Sequence, residues 1–266
     1  MKGITSILGM IISFVAIVVG IFILGGNMKD FANWPSVMLV VVPTIGSMMA
    51  TYPMSMLLKI PSHIGLIIGK GDDDLGQLID KIVDLARKAR AGGLLSLENE
   101  RIDDSIMQYG LRMIVDGVSD EEVKNSLEDS LEGLKSRHSA IIAMYERGAV
   151  YAPAFGMCAT VISLIIMLMS LDFADPDAIN KLGGNMSAAL ITTFYGSVIA
   201  NIIFLPIAGR LKLLHKREVF CKTMICNGIL AIQRGEAPKV IEDYLNEQLK
   251  KETGNSKRAA VTDGGS

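Results

Sequence analysis

Residues 148–171 read GAVYAPAFGMCATVISLIIMLMSL, a stretch without a single Asp, Glu, Lys, Arg or His. Three further stretches share this property, namely 3–28, 31–58 and 182–209. A helix crosses the hydrocarbon core of a bilayer with roughly 20 apolar residues, at a rise of about 1.5 Å per residue. The sequence therefore predicts an all-α integral membrane protein with four transmembrane helices.

Composition agrees with the membrane class, since 50% of the 266 residues are hydrophobic and the mean hydropathy is +0.39. The apolar run at 4–24 is longer than the core of a signal peptide, so we expect it to be retained as the first span. The net charge of −2 offers no polybasic surface, which predicts no nucleic-acid partner. The three cysteines have no metal-ligand spacing with any histidine, so we expect no metal site.

The positions of the cations predict the topology. Twelve of the 26 Lys and Arg residues lie in 59–147, and eleven lie in 210–266. Loops rich in Lys and Arg stay on the cytoplasmic side of a membrane. Both blocks are therefore predicted to be cytoplasmic, together with the N- and C-termini, and the lipid bilayer surrounds the four spans.

The hydrophilic blocks carry helix signals throughout. A helix after the acidic run 72–74 should end at Gly92-Gly93, and a second should run from Ser96 to about Gly117. Ser119 and Glu122 form a capping box, and the helix they open should continue into the third span. The fourth span should likewise continue to Gln233, and Pro238 should open a short final helix. The predicted domains are 1–58 (first two spans), 59–147 (cytoplasmic helical domain), 148–209 (third and fourth spans), 210–252 (C-terminal cytoplasmic helices) and 253–266 (disordered tail).

Small and polar residues recur at helical spacing in the last two spans. They are Pro153, Gly156, Thr160 and Ser163 in the third span, and Ala189, Thr193, Gly196 and Ala200 in the fourth. Such stripes face protein rather than lipid. One interpretation is close helix packing, with the Thr hydroxyls bonded to carbonyls one turn earlier. The other is a lined path or a seat for a partner.

The spans contain no ionisable group, although proteins that move ions usually hold one at membrane depth. If this protein moves ions, another chain brings the carboxylate. The sequence also lacks the common phosphate-loop, dinucleotide, zinc-protease and nucleophile-elbow motifs. We therefore expect neither an enzyme nor a cofactor.

Three short strings carry a family resemblance. They are ARAGGLLSLE at 89–98, APAFG at 152–156 and FLP at 204–206. Their order and their positions at the membrane edges resemble the MotA/TolQ/ExbB family, and the resemblance extends over nearly the whole chain. TolQ and ExbB relatives have three spans, so four spans favour the branch of flagellar stator A subunits.

The resemblance implies partners and a mechanism. In that family five A subunits surround two copies of a single-span B subunit, which carries a membrane Asp for the ion and a peptidoglycan-binding domain. Passage of H⁺ or Na⁺ is thought to rotate the A ring in the bacterial inner membrane, and the cytoplasmic loop turns the rotor switch-complex protein.

The resemblance also implies residue roles. Arg90 and Glu98 match rotor-contacting charges, and Pro153 and Pro206 match hinge prolines. Residues expected along the ion path or facing the partner are Gly156, Thr160, Ala189, Thr193 and Gly196. Thr at both 160 and 193 is similar to sodium-driven members, because hydroxyl oxygens suit a dehydrated Na⁺. The alternatives are a TolQ- or ExbB-like energiser of the cell envelope, a membrane scaffold and a self-sufficient transporter.

Overall fold

The computed structural model describes residues 3–68, 75–171 and 177–262, and the regular secondary structure in these ranges is helical. This confirms the all-α prediction. The α-helices are α1 (Gly3–Ile23), α2 (Met28–Phe31), α3 (Trp34–Thr51), α4 (Met54–Leu57), α5 (Ile60–Ile68), α6 (Leu75–Gly92), α7 (Ser105–Val115), α8 (Asp120–Met169), α9 (Ala178–Val198), α10 (Leu205–Gln233) and α11 (Pro238–Thr262).

Three helical runs in the described part of the chain are long and apolar enough to cross a membrane. They are Trp34–Thr51, a part of Asp120–Met169, and a part of the continuous run Ala178–Gln233. Within α1, the apolar segment Ile7–Ile23 is shorter than these three runs. The number of four spans therefore stays a prediction.

The chain forms two compact units. The first consists of Met1–Gly71 and His138–Leu214, and the second of Asp72–Arg137 and His215–Ser266. In the first unit, Met48 on α3 packs with Met144 and Tyr145 on α8 and with Ile207 and Ala208 on α10. The core of the second unit is built from α6, α7, the start of α8, the end of α10 and α11. The boundaries at 58/59, 147/148 and 209/210 mark predicted membrane edges and stay predictions.

The capping box predicted before α8 is confirmed in the part that Ser119 supplies. The backbone N–H of Glu122 donates to Ser119 Oγ over 3.3 Å, and the Ser119 hydroxyl donates to Glu122 Oε2 over 2.9 Å. The first bond satisfies an N–H group that a helix start leaves unpaired, and the second joins the two side chains. The helix then continues for 50 residues without a break, as the sequence predicts.

The predicted helix start at Ser96 is wrong. Leu94–Leu97 forms a 3₁₀ turn, and α7 begins only at Ser105. The Ser96 hydroxyl donates to the carbonyls of Gly93 (2.7 Å) and Lys88 (3.1 Å), so it closes the preceding turn instead of capping a new helix. Asp104 is the cap, because its Oδ1 accepts the N–H groups of Ile106 and Met107, each over 3.0 Å.

Asp104 also pairs with Lys222 on α10, and both side chains are largely buried. We expect Asp104→Ala to lower the free energy of unfolding by about 1–3 kcal/mol, because it removes a helix cap and leaves a sheltered ammonium group without its partner. Thermal melting of the purified protein checks this. Asp103→Ala is the matched control, since Asp103 is exposed. Equal melting temperatures for the two variants would contradict the role of Asp104.

The ends of two helices follow glycine signals. Gly93, with φ +75°, follows α6, and Gly235, with φ +70°, follows α10. Asp72 to Asp74, predicted to begin the α6 helix, lie outside the described residues. Helix α11 runs to Thr262, and the disordered tail predicted at 253–266 stays a prediction. Residues 263–266 lie outside the described part of the chain.

Candidate functional site

Helices α8 and α9 meet at two glycines whose missing side chains permit close backbone contact. A β-carbon added to Gly196 would lie 2.6 Å from the carbonyl oxygen of Ala152 and 3.1 Å from Cα of Pro153. A β-carbon added to Gly156 would lie 3.0 Å from the carbonyl oxygen of Thr192. Both glycines are buried. The stripes predicted from the sequence therefore face each other, as small residues in membrane helices commonly do.

A cluster of oxygens lies at this contact, which we call the threonine cluster. Thr160 Oγ1 is 3.0 Å from the carbonyl oxygens of Gly156 and Ala189, 2.9 Å from Thr192 Oγ1 and 2.6 Å from Thr193 Oγ1. Thr192 Oγ1 is 3.2 Å from the Gly156 carbonyl and 2.7 Å from the Ala189 carbonyl. Four oxygens from two helices thus surround the fifth, Thr160 Oγ1.

Hydrogen bonding among the residues of the cluster cannot satisfy all of these contacts. Each Thr hydroxyl carries one proton, so three hydroxyls supply three hydrogen bonds. Six oxygen–oxygen contacts are nevertheless present, and at least three of them bring lone pairs together without a proton from the cluster. An excess of hydroxyl and carbonyl lone pairs is the ligand chemistry of a hard cation.

The exposure of the three hydroxyls differs in a way that gives the cluster an open side. Thr192 is buried, Thr160 is half-buried and Thr193 is exposed. A group arriving from outside this chain would therefore reach the cluster beside Thr193. The sequence analysis named Thr160 and Thr193 but missed Thr192. Thr192 lies three residues after Ala189, and residues three and four apart share a helix face, so this spacing could have predicted its place.

Pro153 and Pro206, the predicted hinges, lie inside continuous helical runs. Pro153 belongs to the α8 surface that touches Gly196. Pro206 follows a π-helical segment, Ile199–Phe204, whose last bond joins the Leu205 N–H to the Ala200 carbonyl. A proline cannot donate the N–H that an α-helix needs, and π turns commonly absorb such a break. The regular α-helical hydrogen bonding is therefore interrupted next to Pro206, and hinge motion stays a prediction.

A buried aromatic cluster lies in the same unit. The ring of Phe204 covers Gly148, where an added β-carbon would lie 2.5 Å away, and it packs near Tyr145. His63 Nδ1 lies 3.3 Å from the Tyr145 hydroxyl, and only 4% of His63 is exposed. Burial, with a smaller contribution from Lys59, lowers the pKa of His63 below its ordinary value of 6.5.

This burial predicts a pH dependence of stability. The unfolded chain protonates His63 as the pH falls through 6.5, whereas the folded chain resists protonation until a lower pH, so stability is lost as the pH falls through that window. We expect His63→Gln to flatten the decline in melting temperature between about pH 7 and about pH 5.5. His138→Gln is the control. An unchanged slope in His63→Gln would contradict the assignment.

The two charges that match rotor contacts lie on one short segment of the second unit. Arg90 is exposed in the last turn of α6, and Glu98 is exposed directly after the Leu94–Leu97 turn. Lys88 stabilises this segment through ion pairs with Glu100 (2.7 Å) and Asp84 (3.4 Å). Glu98 also borders a cavity of about 270 Å³, whose lining combines apolar side chains such as Leu97 with charged ones such as Arg112 and Asp116.

In the described ranges, no group of three or more His, Cys, Asp or Glu side chains is placed to hold a metal ion. The threonine cluster places hydroxyl and carbonyl oxygens at the α8–α9 contact. A carboxylate would have to come from another molecule, because the charge-free stretches that contain the cluster hold none.

Comparison with known proteins gives the family. The profile of the MotA/TolQ/ExbB proton channel family matches residues 98–224. Motility protein A of Treponema phagedenis is 37% identical over 253 residues, covering 93% of this chain and 95% of its own length. Chemotaxis protein PomA of Vibrio alginolyticus is 34% identical, covering 92% of this chain and 94% of its own length.

A solved structure agrees with these relatives. The flagellar MotAB stator complex from Bacillus subtilis contains a chain that is 31% identical, with a TM-score of 0.80 over 92% of this chain and 97% of that one. The likeness therefore covers both units and extends well beyond the part that the family profile matches. The chain belongs to the MotA/TolQ/ExbB proton channel family, and within it to the group of motility protein A.

Proposed function

We propose that this chain is the A subunit of a bacterial flagellar stator, which converts ion-motive force into torque on the rotor. Its relatives are named for motility and chemotaxis, and a similar solved chain belongs to a flagellar stator complex. The observation that carries the proposal is the threonine cluster. It offers oxygen ligands at an α8–α9 contact whose spans contain no acid.

The missing carboxylate defines the partner. A charged Asp costs several kcal/mol in an apolar setting and is tolerated in a protein-lined, partly wet path. A single-span B subunit with a membrane Asp would supply that charge beside Thr193, the exposed member of the cluster. Ion binding would neutralise the Asp and permit its movement past the apolar surface of successive A subunits. This chain would then act as neither an enzyme nor the holder of a cofactor.

The proposed arrangement in the inner membrane has four spans and both termini in the cytoplasm. The fourth crossing would be formed by α1 and the residue after it, and this segment carries fourteen Ile, Leu, Val or Phe residues between Ile4 and Leu24. At about −0.3 to −0.6 kcal/mol each, these give an insertion preference of roughly −4 to −8 kcal/mol. Exposed apolar side chains along α1, such as Ile12 and Phe22, suit a lipid-facing helix.

The proposed assembly has five copies of this chain around two copies of the B subunit, which anchors to peptidoglycan. Co-expression of the tagged chain with a candidate B subunit, followed by native mass spectrometry, tests this proposal. A complex of five and two copies is expected. If the co-expressed single-span protein does not co-purify with the chain in mild detergent, the proposal is contradicted.

We propose Na⁺ as the coupling ion, and H⁺ is the alternative. Sodium must exchange its hydration shell for oxygen ligands, whereas a proton needs only the carboxylate of the partner. Four oxygens of the threonine cluster lie within contact distance of the fifth, Thr160 Oγ1, which favours Na⁺. Swimming speed that is independent of external Na⁺ at fixed membrane potential would exclude sodium coupling.

Arg90 and Glu98 are proposed to meet opposite charges on the rotor switch-complex protein. We expect the double reversal Arg90→Glu with Glu98→Lys to reduce motor torque several-fold, because like charges placed together at an interface cost several kcal/mol. Torque of tethered cells is the measurement. Lys81→Glu with Glu121→Lys is the matched control, since both residues are exposed in the same unit and the net charge is equally unchanged. Equal torque in the two double variants would remove the rotor assignment.

A TolQ- or ExbB-like energiser of the cell envelope is the second candidate, because the matched family profile includes those proteins. A deletion strain separates the two functions. Loss of envelope integrity or of nutrient uptake, with normal flagellar rotation, would favour the energiser.

A further inference from the structure

Leu95 is an apolar side chain displayed to solvent between the two proposed rotor contacts. It is 71% exposed, whereas Leu97, two residues later, is 2% exposed and belongs to the core of the second unit. Leu94 packs against the same core. The turn therefore uses two of its three leucines as anchors and presents the third outward.

The turn that carries Leu95 is held in place on both sides. The Ser96 hydroxyl bonds back to Gly93 and Lys88, and Gly93 adopts φ +75°, a conformation that favours glycine. The Lys88–Glu100 ion pair joins the end of α6 to the residues after the turn. A side chain on such a support loses little conformational entropy when it binds, which favours affinity.

Leu95 and Glu98 lie on the same edge of the turn. The N–H of Glu98 donates to the carbonyl of Leu95 over 3.3 Å, and residues three apart in a 3₁₀ turn stand one above the other. Glu98 in turn borders the cavity of about 270 Å³, which is lined by charged as well as apolar side chains. The turn thus presents the apolar side chain of Leu95 directly beside the charge of Glu98.

We propose that Leu95 is the apolar anchor of the contact between this chain and the rotor protein. Its partner is a protein surface with an apolar pocket bordered by an acidic group opposite Arg90 and a basic group opposite Glu98. A buried apolar centre within a charged rim is the usual arrangement of a protein interface. In this arrangement the two charges set orientation and the rate of encounter, and Leu95 sets the lifetime of the contact. This inference rests on the proposed stator function.

The test uses the full chain with its B subunit in a strain that lacks the native gene. The variants are Leu95→Ala, Leu95→Asp and the apolar replacement Leu95→Met, and the matched control is Val240→Asp, since Val240 is 55% exposed on α11 of the same unit. The dwell time of fluorescently tagged complexes at the motor is measured alongside torque. Membrane abundance and co-purification with the B subunit show whether each variant assembles.

We expect Leu95→Asp to shorten the dwell time by about tenfold or more, Leu95→Ala to shorten it less, and Leu95→Met and Val240→Asp to behave as wild type. Wild-type dwell time and torque in Leu95→Asp would overturn the inference, and so would an equal loss in Val240→Asp. If Leu95→Asp fails to assemble, a wild-type dwell time in Leu95→Ala overturns it. Normal rotation in the deletion strain itself would instead refute the stator function.

Discussion

Gly196→Ala is expected to abolish torque. The added methyl group would lie 2.6 Å from the Ala152 carbonyl oxygen, and the obstacle is backbone, which no side-chain rotation can move away. Overpacking of this kind costs about 1–3 kcal/mol where side chains can adjust, and more where they cannot. Helices α8 and α9 would have to separate, and the threonine cluster bridges these same two helices. Tethered-cell rotation and the yield of the assembled complex measure the outcome.

Gly209→Ala is the matched control for this experiment. Gly209 lies on the helical run that follows Gly196, and an added β-carbon there would meet nothing within 4 Å. The control should assemble and rotate normally, or become slightly more stable because alanine favours helix over glycine. Normal torque in Gly196→Ala would show that α8 and α9 do not need this contact.

Thr160→Val is expected to lower the apparent affinity for the coupling ion by about tenfold or more, a loss typical of disturbed metal sites. Valine keeps the shape of the side chain but removes the one hydroxyl that contacts the other four oxygens of the cluster. The speed of rotation at fixed membrane potential should then need a higher external Na⁺ concentration to reach half its maximum. The ion dependence separates this effect from a general loss of assembly.

Thr44→Val is the matched control for the threonine cluster. Thr44 is buried on α3 of the same unit, and its hydroxyl donates to the Val40 carbonyl of its own helix. The control loses a hydrogen bond within α3 and removes no oxygen of the threonine cluster, so its ion dependence should stay unchanged. The same Na⁺ dependence for Thr160→Val and wild type would exclude the threonine cluster as an ion site.

Local signals in the sequence predicted the helices well where both partners of an interaction are close along the chain. The Ser119–Glu122 capping box and the glycines after α6 and α10 are of this kind, because each bond spans only a few residues. The helix start predicted at Ser96 is wrong for a related reason. A Ser side chain can accept from the helix that follows or donate to the turn that precedes it, and the sequence does not distinguish these roles.

The candidate site was predictable in outline and not in detail. The stripes of small residues indicated which faces of the third and fourth spans meet protein, and the structure brings Gly156 and Gly196 together across that contact. Thr192 was missed, because its place in the cluster depends on how α9 is rotated about its axis against α8. Spacing places Thr192 on the same face of α9 as Ala189, but only the packing of the two backbones brings that face to the cluster.

The central claim is that this chain turns the flagellar motor and plays no part in building it. The most direct test deletes the gene and scores filament assembly and filament rotation separately in the same cells. Our account predicts filaments of normal length and number that do not rotate, and rotation restored by the intact chain. Normal rotation in the deletion strain, or loss of the filaments themselves, would contradict it.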